Sequence, residues 1–372
     1  MIFAGCAKTS YPTDTEHLHN QKVVTAANGQ SFTLETLDRL LTEQKNLLGI
    51  PGLAFALIEN GQIKYVTTKG VANINTNELL TNKSVFEVAS LSKPVFAYLV
   101  LKLVDEGVIS LDTPLYKYRL FEELESDSRY HEVTARSVLS HTTGFPNWRW
   151  FDPAPESMNI KRGTMYMKRD PGEFGYSGEG YNYLAEVIGD LNGLDLLTLD
   201  QLYQQKIAEP LGLVCSSFVR SSCVAINKVS GHKGGKVSDE QWPRSFPDDT
   251  PQTFGAAGRL HTTAKDYARI MVAIMNNDGL TRDSANEFFS NQSVVPVDTT
   301  THKINGVTHW GLGIAIEPTP FGNRYEHGGN NGDFTSSMML YREKKIGYVL
   351  LTNSENAQTL NAKIEKLITE GF

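Results

Sequence analysis

Apolar positions near the two ends of the chain fall into two matching patterns. Thr33 to Leu48 places Leu34, Leu37, Leu40, Leu41, Leu47 and Leu48 close to one helical stripe with charges between them, and Gly49 and Pro51 stop it. Gly52 to Glu59 is then mostly apolar, Asn60-Gly61 supplies the positive-φ residues of a tight turn, and Ile63 to Thr68 alternates back, which predicts a β-hairpin. Near the other end, Ser336 to Tyr341 and Ile346 to Thr352 flank the charged turn Arg342-Glu343-Lys344-Lys345, and a helix from about Ala357 to Thr369 follows. Two end pieces of this kind predict one antiparallel sheet built from both ends of the chain and flanked by helices, an α/β (α+β) sandwich.

The middle then becomes an insertion, mostly helical. Helices are expected over Ser90 to Glu106, ended by Gly107, over Thr134 to Ser140, over Gly180 to Leu191 and over Thr263 to Asn276. Long loops rich in Gly, Pro and aromatics separate them, notably Gly144 to Pro155 and Gly231 to Thr250, and loops of such length are usually functional or disordered. The expected organisation is a leader or tether over residues 1–30 and one domain over 31–372. Its α/β part takes 31–83 and 284–372 and its helical part 84–283.

The 372 residues are 40% hydrophobic and 21% charged, which fits a globular protein and excludes a disordered or collagen-like chain. Thirty-five basic against 42 acidic residues leave a net charge of −7 with no basic stripe, so nucleic acid is not an expected partner. No apolar run reaches the 18 or so residues of a membrane span. Phe3-Ala4-Gly5-Cys6 resembles a bacterial lipobox, with Lys8 to Asp14 following as a polar tether. A lipidated Cys6 would tie the protein to a bacterial cell envelope, periplasmic or lipid-anchored; the alternative is a chance Ala-Gly-Cys at a frayed end. Cys215 and Cys223 are either a small disulfide loop, as an oxidising compartment permits, or two separate thiols.

The segment Phe86-Glu87-Val88-Ala89-Ser90-Leu91-Ser92-Lys93-Pro94 carries the most chemistry. Ser90 and Lys93, three apart, share one helix face, and Pro94 is acceptable only within a first turn, which fixes Ser90 at the helix N-terminus. A serine becomes a nucleophile when a nearby base takes its proton, and the positive end of a helix favours the anion that develops. The alternative is a capping serine beside a solvated lysine.

Further blocks accompany it in order: Leu103 to Gly107 with Leu111-Asp112, Leu139-Ser140-His141-Thr142-Thr143-Gly144, Pro171 to Gly178, Gly255-Ala256-Ala257-Gly258, Trp310-Gly311-Leu312-Gly313, and Glu326-His327-Gly328-Gly329. Together they resemble the serine β-lactamase and penicillin-binding-protein superfamily, in its class C-like branch with esterases, D-aminopeptidases and DD-peptidases. The resemblance covers about residues 33 to 369 and implies a β-lactamase-like fold without metal or organic cofactor. It implies Ser90 as acylated nucleophile, Lys93 as its partner, and Tyr176 as a phenol of depressed pKa sharing base and acid work. Tyr181 and Tyr183 fall in the following helix. His327-Gly328-Gly329 occupies the place of the Lys-Thr-Gly strand, where the N–H groups of Ser90 and of the following Asn330 would form an oxyanion hole and His327 would orient a substrate carboxylate, assist Tyr176 or serve structurally.

Two departures bear on substrate. Gly178 stands where the motif has Asn, and His327 where it has Lys, which removes an amide and a permanent charge. Both favour small esters or peptides of D-amino acids over β-lactams. The alternatives are a β-lactamase or DD-carboxypeptidase, and a catalytically weak peptidoglycan or ligand sensor. No class A type glutamate block is present, so deacylation would fall to Tyr176 and Lys93. Gly175-Tyr176-Ser177-Gly178-Glu179 comes near a nucleophile elbow but lacks its final glycine. His17 and His19, or His131 and His141, lack metal-site spacing, and His141 is expected to brace a loop. Trp148, Trp150 and Phe151 are candidates for one wall of an acyl pocket, or for plain core packing.

Overall fold

The protein is described by a computed structural model that covers residues 23–238 and 253–371. A short hairpin of β1 (Val23–Thr25) and β2 (Ser31–Thr33) leads into α1 (Leu34–Leu47), then β3 (Gly52–Glu59), β4 (Gln62–Asn73), β5 (Glu78–Leu79) and β6 (Phe86–Glu87). The helical body holds α2 (Ser92–Asp105), α3 (Ala135–Leu139), α4 (Gly178–Leu191), α5 (Asp200–Tyr203), α6 (Ser222–Asn227), α7 (Ala264–Asn276) and α8 (Arg282–Phe289). Short strands β7 (His232–Lys233), β8 (Lys236–Val237) and β9 (His261–Thr262) are set among them. The chain returns through β10 (Ser293–Val294), α9 (Thr300–Asn305), β11 (His309–Trp310), β12 (Ala315–Thr319), β13 (Gly322–Asn330), β14 (Thr335–Tyr341), β15 (Ile346–Thr352) and α10 (Gln358–Glu370).

Nine strands form one antiparallel sheet in the order β10-β11-β12-β13-β14-β15-β3-β4-β5. Its centre is the pairing of β15 with β3, which joins the two chain ends as expected. The apolar run of β3 is continuous because both faces of the strand are covered. Leu53, Phe55 and Leu57 point to a core shared with Leu37 and Leu41 of α1 and Leu360, Ile364 and Leu367 of α10. Ala54, Ala56 and Ile58 point the other way, into the core of the helical body with α2 and α7. The result is three layers, helices on sheet on helices.

Threonine and serine caps set the helix starts. Thr33, Thr134, Ser177, Thr263 and Thr281 each accept a backbone N–H of the first turn, which supplies partners that a helix start lacks. Three differences from the sequence expectation stand out. Residues 23–30, expected in the leader, already belong to the fold, since Val24 is fully buried against the α1 and α10 core. The β12–β13 hairpin was hidden by Pro318 and Pro320, which disguise a strand near a sheet margin. The Gly231 to Thr250 loop begins with the β7–β8 hairpin.

Cys215 and Cys223 are disulfide-bonded, with Cα atoms 5.8 Å apart, and this decides between the two readings of that pair. Cys6, His17 and His19 lie outside the described residues, as do residues 239–252. Among the described residues no helix is long and apolar enough to cross a membrane. Leu57→Ala, which empties a fully buried site in the central strand, is expected to cost about 2–5 kcal/mol in urea unfolding, and a cost below about 1 kcal/mol would contradict burial on that face.

Candidate active site

The helix expected from Ser90 begins as a 3-10 turn, Ala89–Leu91, that runs directly into α2. Pro94 sits in the first turn of α2, where its missing N–H costs nothing. Ala89 holds φ at +48°, a left-handed conformation that strains an alanine by about 1–3 kcal/mol. Surrounding bonds hold it there. Ser92 Oγ donates to Ala89 O (2.6 Å) and accepts Leu260 N–H (2.9 Å), Val88 N–H donates to Leu260 O (3.1 Å), and Ser336 Oγ donates to Val88 O (2.7 Å).

Lys93 is fully buried beneath Ser90. Its Nζ donates to Ser90 Oγ at 3.2 Å and to Ala257 O at 2.7 Å. With no carboxylate among the causes of its shift, burial alone pulls the amine down to about 7. The N-terminal end of α2 acts in the same direction, since its partial positive charge disfavours an ammonium. A near-neutral amine touching a serine hydroxyl can accept its proton. The role of Ala257, within the Gly255 to Gly258 block, is this carbonyl; sequence alone offered no signal for it, because any residue supplies one.

Tyr176 lies just before α4, with its phenol near enough to the Ser90 hydroxyl for that group to lower its pKa slightly. Lys93 Nζ sits 4.7 Å from the centre of its ring. Its pKa moves opposite to expectation. Burial pushes the phenol well above 10, and the neighbouring Ser90 hydroxyl offsets this only in part. Burial thus favours the neutral phenol at Tyr176 and the neutral amine at Lys93. Tyr181 is on α4 as expected, donating to Leu139 O at 3.2 Å, and Tyr183 donates to Arg119 O at 2.5 Å.

His141 braces the Tyr176 loop. Its Nδ1 accepts Ser177 N–H at 3.1 Å and its carbonyl accepts Gly175 N–H at 2.8 Å. It also enters the site itself, with its ring centre 4.1 Å from that of Tyr176. Because Nδ1 accepts, Nε2 carries the proton, and burial keeps the imidazole neutral. His327 has the opposite tautomer, since its Nδ1 faces Gly328 O at 2.8 Å and must donate. Burial pulls His327 down to about 3, so it offers no cation to a substrate carboxylate, and its unpartnered Nε2 is an acceptor. Trp310 stands edge-on to both histidines and to Tyr176, and so closes an aromatic box around the phenol.

β13 brings Gly329 and Asn330 to the nucleophile. β12 pairs with β13 only from Gly322 to Glu326, so the edge of His327–Asn330 is left facing the Ser90 turn. A Cβ on Gly329 would sit 2.3 Å from Val88 O and 2.4 Å from Ser336 Oγ, which is why glycine is needed for this approach. Asn330 and Ser90 both line a cleft of about 510 Å³. Trp148 and Phe151 form part of that cleft, whereas Trp150 does not and instead packs over Gly163, because the loop turns it outward. Gly178 lies under Trp148, whose ring would be 2.4 Å from an added Cβ. Arg149 and Glu179 also face the cleft, and sequence reasoning did not single them out. Among the described residues no cluster of three or more His, Cys, Asp or Glu side chains could hold a metal.

A half-buried serine at a helix start, backed by a buried amine and a phenol, is an arrangement in which a serine hydroxyl can be activated. The chain belongs to the Beta-lactamase family, which matches residues 37–370. It is 26% identical over 339 residues to penicillin-binding protein 4 of Amycolatopsis lactamdurans, across 86% of this chain and 84% of that one. Over a shorter stretch of 112 residues, 30% of this chain and 28% of the other, it is 29% identical to esterase EstB of Burkholderia gladioli. The fold is similar to that of the D-alanine carboxypeptidase AmpC from Burkholderia cenocepacia, with a TM-score of 0.71 at 18% identity, covering 90% of this chain and 97% of that one.

Gly329→Ala is expected to slow labelling of Ser90 by a fluorophosphonate about 100-fold, because the collision displaces β13 from the nucleophile. Gly328→Ala, whose Cβ meets open space, should label normally. Equal labelling of both variants would show that the close approach of Gly329 is unimportant.

Proposed function

We propose that the protein hydrolyses small carboxylic esters, or short peptides of D-amino acids, through an acyl-Ser90 intermediate. The observation that carries this reading is the buried Lys93 amine, with a pKa near neutrality, 3.2 Å from the Ser90 hydroxyl. Ser90 Oγ attacks the carbonyl carbon as its proton passes to Lys93, and the ammonium so formed returns a proton through Tyr176 to the departing group. Water then enters by the reverse route. Backbone N–H groups of Ser90 and Asn330 would receive the developing oxyanion. Tyr176, whose ionisation burial opposes, acts as donor and relay rather than as the resting base.

The absence of a cation at His327 and of a side-chain amide at Gly178 supports esters ahead of β-lactams. The penicillin-binding-protein relative, matched along most of the chain, supports a second reading as a DD-carboxypeptidase or β-lactam-reactive enzyme. The Cys215–Cys223 disulfide supports an oxidising compartment such as the cell envelope.

Intact mass after fluorophosphonate treatment should show one adduct on wild type and none on Ser90→Ala. The labelling rate should fall about tenfold per pH unit below about 7 and level off above it, because only the neutral Lys93 accepts the proton. Lys93→Met should abolish labelling in a protein that still folds, with a melting temperature at most modestly lowered by the loss of the Ala257 O hydrogen bond. Turnover of p-nitrophenyl esters, D-alanyl peptides and nitrocefin then separates the readings. Absence of any adduct on wild type would overturn them all in favour of a non-acylating binding protein.

A further inference from the structure

The cleft beside Ser90 has an apolar flank of Trp148, Phe151, Leu196 and Phe254. Trp148 is held on both sides. Asn147 O accepts N–H groups of Gly178 (3.1 Å) and Glu179 (3.2 Å), and Asn147 Oδ1 accepts Gly178 N–H at 3.0 Å. On the far side, Arg149 N–H donates to Glu179 Oε1 at 2.9 Å and its guanidinium to Glu179 Oε2 at 2.9 Å. The indole between these anchors lies against the first turn of α4 at Gly178, in space that any Cβ there would invade.

The charged groups beside Trp148 are paired, and Arg259, which also lines the cleft, donates to Thr253 O (3.0 Å) and Thr253 Oγ1 (2.8 Å). Arg149 pairs with Glu179 and Glu123, and Glu186 pairs with Arg119. The face around Trp148 therefore offers a ligand aromatic and aliphatic surface, while Asn182, Arg259, Asn330 and Asn331 add polar groups to the cleft. The cleft also has a direction. Tyr176, His141 and His327 are not among the residues that line it. A leaving group must meet the proton donor Tyr176, so the acyl group is the part that extends into the cleft.

We propose that Trp148 forms the floor of an acyl subsite selective for flat apolar acyl groups, so that esters of aryl-substituted carboxylic acids are the preferred substrate class. This rests on the acyl-Ser90 reading. In the reaction Ser90 Oγ bonds to the aryl-acyl carbon, the ester C–O bond breaks, the alcohol leaves with the proton relayed by Tyr176, and water releases the aryl acid. A fixed aromatic face adds stacking to simple burial, and a difference of one such group between substrates is expected to shift kcat/KM about tenfold or more.

The test compares p-nitrophenyl phenylacetate with p-nitrophenyl acetate on wild type, Trp148→Phe, Trp148→Leu and Trp148→Ala. Wild type should favour phenylacetate at least about tenfold in kcat/KM, Trp148→Phe should keep most of that preference, and Trp148→Ala or Trp148→Leu should lose it while fluorophosphonate labelling of Ser90 continues. An unchanged preference ratio in a variant that still labels would overturn the subsite. If Trp148→Ala does not fold, Trp148→Phe and Trp148→Leu decide the question by the same ratio. Calorimetry of phenylacetate and acetate binding to Ser90→Ala, with and without Trp148→Leu, decides independently of turnover. Selective phenylacetate binding lost with Trp148 would uphold the subsite even if wild type hydrolysed nothing, a result that would sink only the hydrolase reading. Equal binding of the two acids would overturn the subsite.

Discussion

The site depends on one constraint: a lysine amine with no exposure to water, held between a backbone carbonyl and a serine hydroxyl. An ammonium there lacks both hydration and a carboxylate, so burial costs it several kcal/mol relative to the amine. That cost favours the neutral amine, the form that the proposed base requires. The neighbouring groups follow from it. The phenol of Tyr176 stays protonated, and both flanking imidazoles stay neutral because burial and a nearby Lys93 disfavour a second positive charge.

Holding this arrangement requires the scaffold to bring two remote parts of the chain into contact. The Ser90 turn comes from the start of the helical body and β13 from near the end of the chain. The left-handed Ala89 aims Ser90 toward the cleft, and its strain is offset by the bonds from Ser92, Leu260 and Ser336. Gly329 lets the strand close in, and Gly313 does the same for the loop beneath α2, where a Cβ would lie 2.7 Å from Ala97. Both faces of β3, which two strands separate from β13 in the sheet, are covered by close-packed side chains.

The hairpins and long helices were legible because period and turn chemistry agreed locally: Asn60 and Gly61 do adopt positive φ, and β15 runs over the expected residues. Three-residue spacing and Pro94 placed Ser90 and Lys93 at a helix start, whereas the roles proposed for them came from the family resemblance of the surrounding blocks. The direction of the Tyr176 shift was not legible, since it depends on how dry the site is, which no spacing encodes. Nor was the role of Trp148. Its partner Gly178 looked like a loss of function in sequence, whereas in space the glycine makes room for an indole. Trp150, two residues away, shows that aromatic content alone does not locate a wall.

The buried base is tested most directly by the titration of Lys93 itself, followed by NMR in protein carrying 13C at the lysine Cε, with the Lys93→Met variant to assign the signal. One lysine should titrate near 7, more than two units below the ordinary value, in otherwise folded protein. A Lys93 that titrates above about 10 would contradict the buried-base mechanism, because the resting site would then hold an ammonium and no base for Ser90.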